Sequence, residues 1–370
     1  MSIRRAKLTR IERLLRGLGL AGRYGSPAVV AAMLGCVPEM QQISISPDGR
    51  YVVVAAGSNG AFVPYFDSSS GQGTMPHLVV LDLKESAVAA SVALSKPAFW
   101  LSNVGQTAVF LSDEGEKAVV VLHTGEGKTH RIEDATLPSL SHDGKRLVYS
   151  KSPGSTSNMT GDLMLYDIAT DKTTDLKAKG GYGQISPDGK RVLFAQRDAE
   201  SDDAKWTLAV INIDGSGRKE ISKIDPETGK LFVPRWVDDG SVIYRTRTEK
   251  SPGDGELFVS DLSGKVEQIT DTDEDDVNPQ VIGAGRIVYG RQATGEGDKG
   301  LKHAEVWVAE KKAGKWEHRA LGIKAFAFAA SGDRLIAVGD NEGKIVEASI
   351  ADPSKTRDLS ALIAKKFEGK

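Results

Sequence analysis

Short apolar runs alternate with polar turns along most of this 370-residue chain. The alternation recurs at intervals of roughly forty to fifty residues, the spacing of propeller-type repeats. The clearest copies of the turn are Ser46-Pro47-Asp48-Gly49-Arg50, Ser141-His142-Asp143-Gly144-Lys145 and Ser186-Pro187-Asp188-Gly189-Lys190. Weaker copies are Val237-Asp238-Asp239-Gly240 and Ser331-Gly332-Asp333-Arg334. A β-branched, apolar run follows most of them, such as Tyr51-Val52-Val53-Val54 or Arg191-Val192-Leu193-Phe194. Proline presets φ for a tight turn, aspartate bonds nearby backbone, and glycine supplies the positive φ that reverses the chain. Each copy therefore predicts a hairpin between two strands.

A second strand type recurs in step with the first. It is read at His77-Leu78-Val79-Val80-Leu81-Asp82-Leu83, Ala118 to His123, Asp162 to Ile168, Thr207 to Ile213, Glu256 to Leu262, Glu305 to Ala309 and Lys344 to Ile350, seven copies in all. A closing strand follows in most. A third element precedes the turn, where proline opens several first strands, at Pro97, Pro138, Pro234 and Pro279, a position that proline tolerates. With degenerate turns near Asn103 and Gly283, the unit is four antiparallel strands repeated seven times. Such units stack face to face and close into a ring, because one small sheet cannot bury both its faces alone. The expected fold is all-β: a single β-propeller of seven four-stranded blades over residues 37–370, or six or eight if the degenerate turns are misjudged.

Two segments carry a family resemblance. Pro234-Arg235-Trp236-Val237-Asp238-Asp239-Gly240 and Ile185-Ser186-Pro187-Asp188-Gly189-Lys190-Arg191 resemble the repeats of TolB-like propellers, also called WD40-like or PD40 repeats. The resemblance covers about residues 42 to 355. The chain departs from TolB in having no room for its separate N-terminal α/β domain and in a larger repeat count. The resemblance therefore implies the fold and leaves function to be argued from sites.

Residues 1–36 stand outside the repeat. Arg4, Arg5, Lys7, Arg10, Arg13, Arg16 and Arg23 face one acidic residue, Glu12, and a short apolar run from Pro27 to Gly35 leads to Cys36, the single cysteine. A basic region, an apolar stretch and small residues are the marks of a secretory signal. Met33-Leu34-Gly35-Cys36 resembles a bacterial lipobox, which implies lipidation at Cys36 and a periplasmic or outer-membrane-anchored protein. Leu8, Ile11, Leu14, Leu15 and Leu18 lie at helical spacing, so a cytoplasmic protein with an amphipathic N-terminal helix is the alternative, and plain secretion a third. One cysteine allows no intrachain disulfide.

Charge narrows the partners. The chain has 48 basic and 50 acidic residues, and without the leader 41 face 49, a net charge of −8. An acidic globule without a basic patch is a poor ligand for nucleic acid. A membrane would be reached only through a lipid at Cys36, and the ring is expected to be a monomer.

Motifs for catalysis are missing: there is no Gly-x-Ser-x-Gly, no P-loop and no His-Glu-x-x-His. The six histidines, His77, His123, His130, His142, His303 and His318, are scattered and read as structural. The densest acidic stretch, Asp271-Thr272-Asp273-Glu274-Asp275-Asp276, makes Asp271, Asp273 and Asp275 weak metal candidates, since Asp276 and Ile282 stand where an EF-hand needs Gly and Glu. No cofactor is implied. The expectation is a non-enzymatic scaffold that binds a protein or peptide in the bacterial cell envelope. The alternative is a lactonase- or hydrolase-like propeller enzyme with a channel metal assembled from separate blades.

Overall fold

The computed structural model describes residues 42–62, 77–94, 98–113, 118–123, 125–151, 160–197, 206–224, 232–247, 255–292, 303–339 and 343–368. The leader with Cys36 lies outside them.

Strands pair antiparallel in chain order. The first sheet is β1 (Ile43–Ile45), β2 (Tyr51–Ala56), β3 (His77–Asp82) and β4 (Ala87–Ala93). The second is β5 (Ala98–Val104), β6 (Thr107–Asp113), β7 (Ala118–His123) and β8 (Thr129–Glu133). A longer sheet runs through β9 (Ala135–Leu140), β10 (Arg146–Lys151), β11 (Gly161–Asp167), β12 (Lys172–Ile185), β13 (Arg191–Arg197), β14 (Trp206–Asn212) and β15 (Lys219–Ile224). Next come β16 (Phe232–Asp238), β17 (Ser241–Arg247), β18 (Gly255–Asp261) and β19 (Val266–Gln268). They are followed by β20 (Asp275–Gly283), β21 (Arg286–Gln292), β22 (Ala304–Lys312) and β23 (Lys315–Ala325). The last sheet is β24 (Ala327–Ser331), β25 (Arg334–Gly339), β26 (Lys344–Ser349) and β27 (Thr356–Asp358). Helix α1 (Ser360–Phe367), which the strand pattern does not predict, ends the described chain.

The chain is a single, mostly β propeller. Its sheets do not resolve into the expected seven separate four-stranded blades: five are four-stranded and one is seven-stranded. The reason lies in β12. Its first part pairs with β11 from Lys172 to Gly180, and its end pairs with β13 from Gly181 to Ile185. Lys177 turns through φ 55° in a bulge, its N–H bonded to Asp175 Oδ1 at 2.7 Å. The bulge absorbs the bend, and the strand continues without a loop.

The repeated turn is held by one bonding pattern. Ser141 Oγ donates to Asp143 Oδ1 (2.6 Å), Lys145 N–H donates to the same oxygen (3.1 Å), and Arg146 N–H donates to Ser141 Oγ (2.9 Å). The Ser186 turn repeats these bonds at 2.6, 3.0 and 3.0 Å, and the Ser46 turn repeats the same partners. Gly49, Gly144 and Gly189 have φ of 68°, 69° and 71°, where a side chain is strained. Serine, aspartate and glycine are thus each required for a separate reason.

Three of the four prolines expected to open first strands do not, and Pro97 lies outside the described residues. Pro138, Pro234 and Pro279 sit inside β9, β16 and β20. There the register with the second strand slips by one residue, as it also does in β5 and β12. Proline is admitted at bulges because no ladder N–H is needed there. Trp100, Leu137, Tyr182 and Asn278 take left-handed φ of 54°, 52°, 56° and 49° at these bulges. Such backbone costs about 1–3 kcal/mol per residue. Burial of Trp100, Leu137 and Tyr182 in the largest core cluster offsets it, with Trp100 edge-on to Tyr182 at 5.7 Å.

Among the described residues the first and last sheets meet without exchanging a strand. Ser331 Oγ donates to Pro47 O (2.8 Å), and Phe62 N–H to Gly343 O (2.8 Å). Arg357 reaches Ser86 Oγ at 2.8 Å. Leu359 and Ile363, both fully buried, pack with Ile43, Phe62 and Phe326 across the seam, and Phe367 stacks on His77 at 4.4 Å.

Candidate binding site at the mouth of the central channel

The bulges set up the site. Two residues beyond each left-handed residue stands a polar side chain in the same register: Ser102 opposite Val109, Ser139 opposite Val148, Gln184 opposite Leu193 and Gln280 opposite Val288. Arg235 opposite Ile243, Ser44 opposite Val53 and Ala329 opposite Ile336 hold the same position in the remaining first strands. All seven line one cavity of about 230 Å³ on the channel axis, at the face that carries the Ser-Asp-Gly turns. A bulge re-aims the side chains that follow it, and one precedes five of these seven residues, while Ser44 and Ala329 reach the same cavity from strands paired without a shift.

Among the described lining residues the basic side chains are His142 and Arg235. His142 and Pro187 belong to the turns at the rim, and Trp236 covers the wall beside Arg235. Trp236 Nε1–H donates to Gln184 O (2.9 Å), which locks the indole across two repeats, and Arg191 covers its ring at 5.6 Å. Among the described residues no acidic side chain lines the cavity. Withdrawal from water pulls the Arg235 guanidinium down to about 10, because burial penalises the charged form. Asn278 Oδ1 accepts a bond from Gln280 Nε2 (2.7 Å), and Asn278 Nδ2 donates to Phe328 O (3.2 Å), so the Gln280 arm is fixed from below. With hydroxyls, two amides and one guanidinium, the mouth can donate several hydrogen bonds to an acceptor. It offers no carboxylate and only His142 to a metal, so the channel-metal alternative finds no ligand set here among the described residues.

A second polar group lies at the opposite strand ends, between β16–β19 and β20–β23. Arg291 Nε donates to Asp276 Oδ1 (2.8 Å) and its Nη2 to Asp276 Oδ2 (3.1 Å). The same guanidinium bonds Tyr289 OH (3.1 Å), which meets His318 Nδ1 at 3.1 Å. Arg245 pairs with Asp275, which also accepts from Gly255 N–H at 2.7 Å. Glu256 is fully buried and accepts from Thr272 N–H at 2.9 Å. Burial pushes Glu256 up to about 7 and raises Asp276 in spite of Arg291.

The acidic stretch enters this group only in part. Asp275 is held by Arg245 and Asp276 by Arg291, while Asp271 and Asp273 are exposed. Among the described residues no three His, Cys, Asp or Glu side chains gather as for a metal. His130 bonds Tyr166 OH at 3.0 Å, and burial lowers His123 and His318. Arg235, Gln184 and Gln280 were not singled out in the sequence. For Arg235 and Gln280, as for Ser139, the signal was the place just after an in-strand proline, at Pro234, Pro279 and Pro138, whereas Gln184 follows no proline.

No family model matches the chain, and no curated protein sequence matches it. Solved structures do. Tricorn protease aligns at a TM-score of 0.59 and 12% identity over 87% of this chain, which spans 34% of that protein. Hydrazine synthase of Kuenenia stuttgartiensis aligns at 0.56 and 13% identity, over 84% of this chain and 96% of that one. Puromycin hydrolase aligns at 0.55 and 14% identity, over 91% and 55%. At such identities the likeness concerns the fold alone. The expectation that the chain is not an enzyme is corrected by these alignments. A protease, a hydrolase and a synthase share its propeller, so the architecture gives no ground for excluding catalysis. The chain is a β-propeller, with TolB of Acinetobacter baumannii also among its structural neighbours, at a TM-score of 0.46.

Proposed function

We propose that the protein is a binding propeller that takes a peptide, or a segment of a partner protein, into the turn-side mouth of its central channel. One observation carries this reading: seven equivalent first-strand positions, six of them polar, converge on a single open cavity. Concave sites with a few converging polar groups on a rigid scaffold are where ligands bind. The same ring supports counting seven repeats, with β12 serving as the outer strand of one and the first strand of the next. The leader fits an anchor at Cys36 and a place in the periplasm or at the outer membrane, where an acidic ring would meet protein partners.

Ser139→Trp tests the reading, because an indole at this position fills the mouth from a strand whose fold it leaves paired. Peptides are selected from a random library on the immobilised wild-type ring and titrated against both proteins. Loss of binding by at least about tenfold in the variant, roughly 1.4 kcal/mol, is expected. Equal binding to a variant with unchanged melting would overturn the site.

A further inference from the structure

The outer strands of the sheets differ in charge, and one of them carries none. A strand at a sheet edge turns backbone N–H and C=O groups outward, which invites pairing with another chain unless charged side chains blunt the edge. Arg131 in β8, Asp175 in β12, Lys219 in β15, Glu267 in β19, Glu317 in β23 and Arg357 in β27 supply such charge. Strand β4, Ala87-Val88-Ala89-Ala90-Ser91-Val92-Ala93, has no charged residue, and each of its residues is exposed or half-buried. Its inner edge is paired with β3, and Val88 packs into one core cluster and Ala90 into another. Its outer edge meets no strand among the described residues.

We propose that β4 is where two copies of this chain associate, edge to edge and antiparallel, about a twofold axis through Ala90. The strand reads almost the same in both directions. About that axis Ala87 faces the second copy's Ala93, Val88 faces Val92, Ala89 faces Ser91, and Ala90 faces itself. A twofold strand pair sets its middle residue against its own copy, so a charge there opposes its like. The same pairing at β8, β19 or β27 would bring Arg131, Glu267 or Arg357 against itself. Two rings that each carry a net charge of −8 outside the leader can bring this edge together without opposing like charges within the strand pair. The register of β4 with β3 slips at Ala89, so each strand bends beside the axis, and the twofold places the two bends symmetrically. Pairing uses both outer edges of β4, so association stops at two. The contact is independent of the channel, and it departs from the monomer expected from sequence.

A seam of one strand from each copy buries less than the roughly 1,200 Å² of a standard interface, so a weak dimer is expected, with a Kd on the order of 10–100 μM. Sedimentation velocity of the full protein from about 1 to about 300 μM should show monomer passing to dimer and nothing larger. Ala89 is exposed, so a charged side chain there is compatible with the fold. Ala89→Lys and Ala89→Glu should each weaken association about fivefold, the effect of like charges brought together across strands. Mixed in equal parts, the two variants should associate at least as well as wild type, which misfolded chains would not do. Air oxidation supplies a second arm. Ala90→Cys on a Cys36→Ser background should join two copies through a disulfide, whereas Ala87→Cys on that background should not, because it faces Ala93. A wild-type ring that stays monomeric throughout, or that grows beyond a dimer, would overturn the proposal. So would a dimer that neither charged variant weakens while each melts as wild type does, or one that cross-links at residue 87 and not at residue 90.

Discussion

At the turn-side mouth a guanidinium, Arg235, borders an open cavity that no acidic residue among those described lines, whereas at the opposite strand ends Arg245 and Arg291 are each clamped by a carboxylate, Asp275 and Asp276. Both places hold charge away from water, but one is a set of carboxylate–guanidinium pairs between sheets and the other borders an open cavity. Buried charges are costly unless paired and hydrogen-bonded. The closed network meets that cost internally and ties two sheets together. The open mouth keeps donors turned toward a space that a ligand can occupy. Charge in the first serves cohesion, and the proposed role of the second is recognition.

Removing Arg291 should be the most damaging change. Asp276 has no exposed surface, and Arg291→Ala would strand its carboxylate, at a cost of about 3–5 kcal/mol. Urea unfolding measures it, and a loss below about 1 kcal/mol would show that the network is not the tie described.

Gly189→Val should come next. Its φ is 71°, and a Cβ would stand 2.7 Å from Arg146 Nη2. A loss of about 1–3 kcal/mol is expected, read from the melting temperature. An unchanged melting point would contradict the turn geometry.

Arg235→Gln should weaken the fold less than Arg291→Ala, by under about 1.5 kcal/mol, because water entering the open cavity can solvate what the guanidinium touched. A loss as large as that of Arg291→Ala would erase the contrast between the two faces.

The pH response separates them further. Glu256 is raised in the fold from its ordinary 4.5 to about 7 by burial. The native state therefore binds a proton that the unfolded chain has released. Its contribution to stability is fully present below about 4.5 and fades as pH rises through about 7. Glu256→Gln should flatten this part of the stability profile between those values. A variant whose melting still tracks pH as wild type does would assign the dependence elsewhere. Smallest in effect on the ring is Cys36→Ser, which should leave its melting unchanged yet move the protein from the membrane to the soluble fraction, since acyl chains are what would hold it there. Membrane recovery equal to wild type would end the anchor reading.

The parts of this molecule that sequence made legible are those that repeat locally. The Ser-Pro-Asp-Gly turns and the seven central strands, β3, β7, β11, β14, β18, β22 and β26, fall within a residue or two of where their patterns put them, save that β22 runs on to Lys312. Each is dictated by neighbours in the chain, through a side chain–backbone bond or an apolar run. The separation into blades was misread because β12 has no loop residue to mark a boundary, only a bulge at Lys177. The channel ring was illegible for a different reason. Ser44, Arg235 and Gln280 are ordinary polar residues in sequence, and they become a set only when first strands far apart in the chain line one cavity. The in-strand prolines were visible, but as strand openers they pointed one step away from the residues that matter.

Hydrogen–deuterium exchange on the full protein, with and without a selected peptide, tests the central claim most directly, because it reports opening of local backbone on both faces at once. The account predicts slowed exchange around 43–46, 101–104, 139–142, 184–186 and 280–281 at the channel mouth. Exchange around 255–261 and 270–276 should stay as it was. Protection confined to those latter segments, with the mouth unchanged, would contradict it.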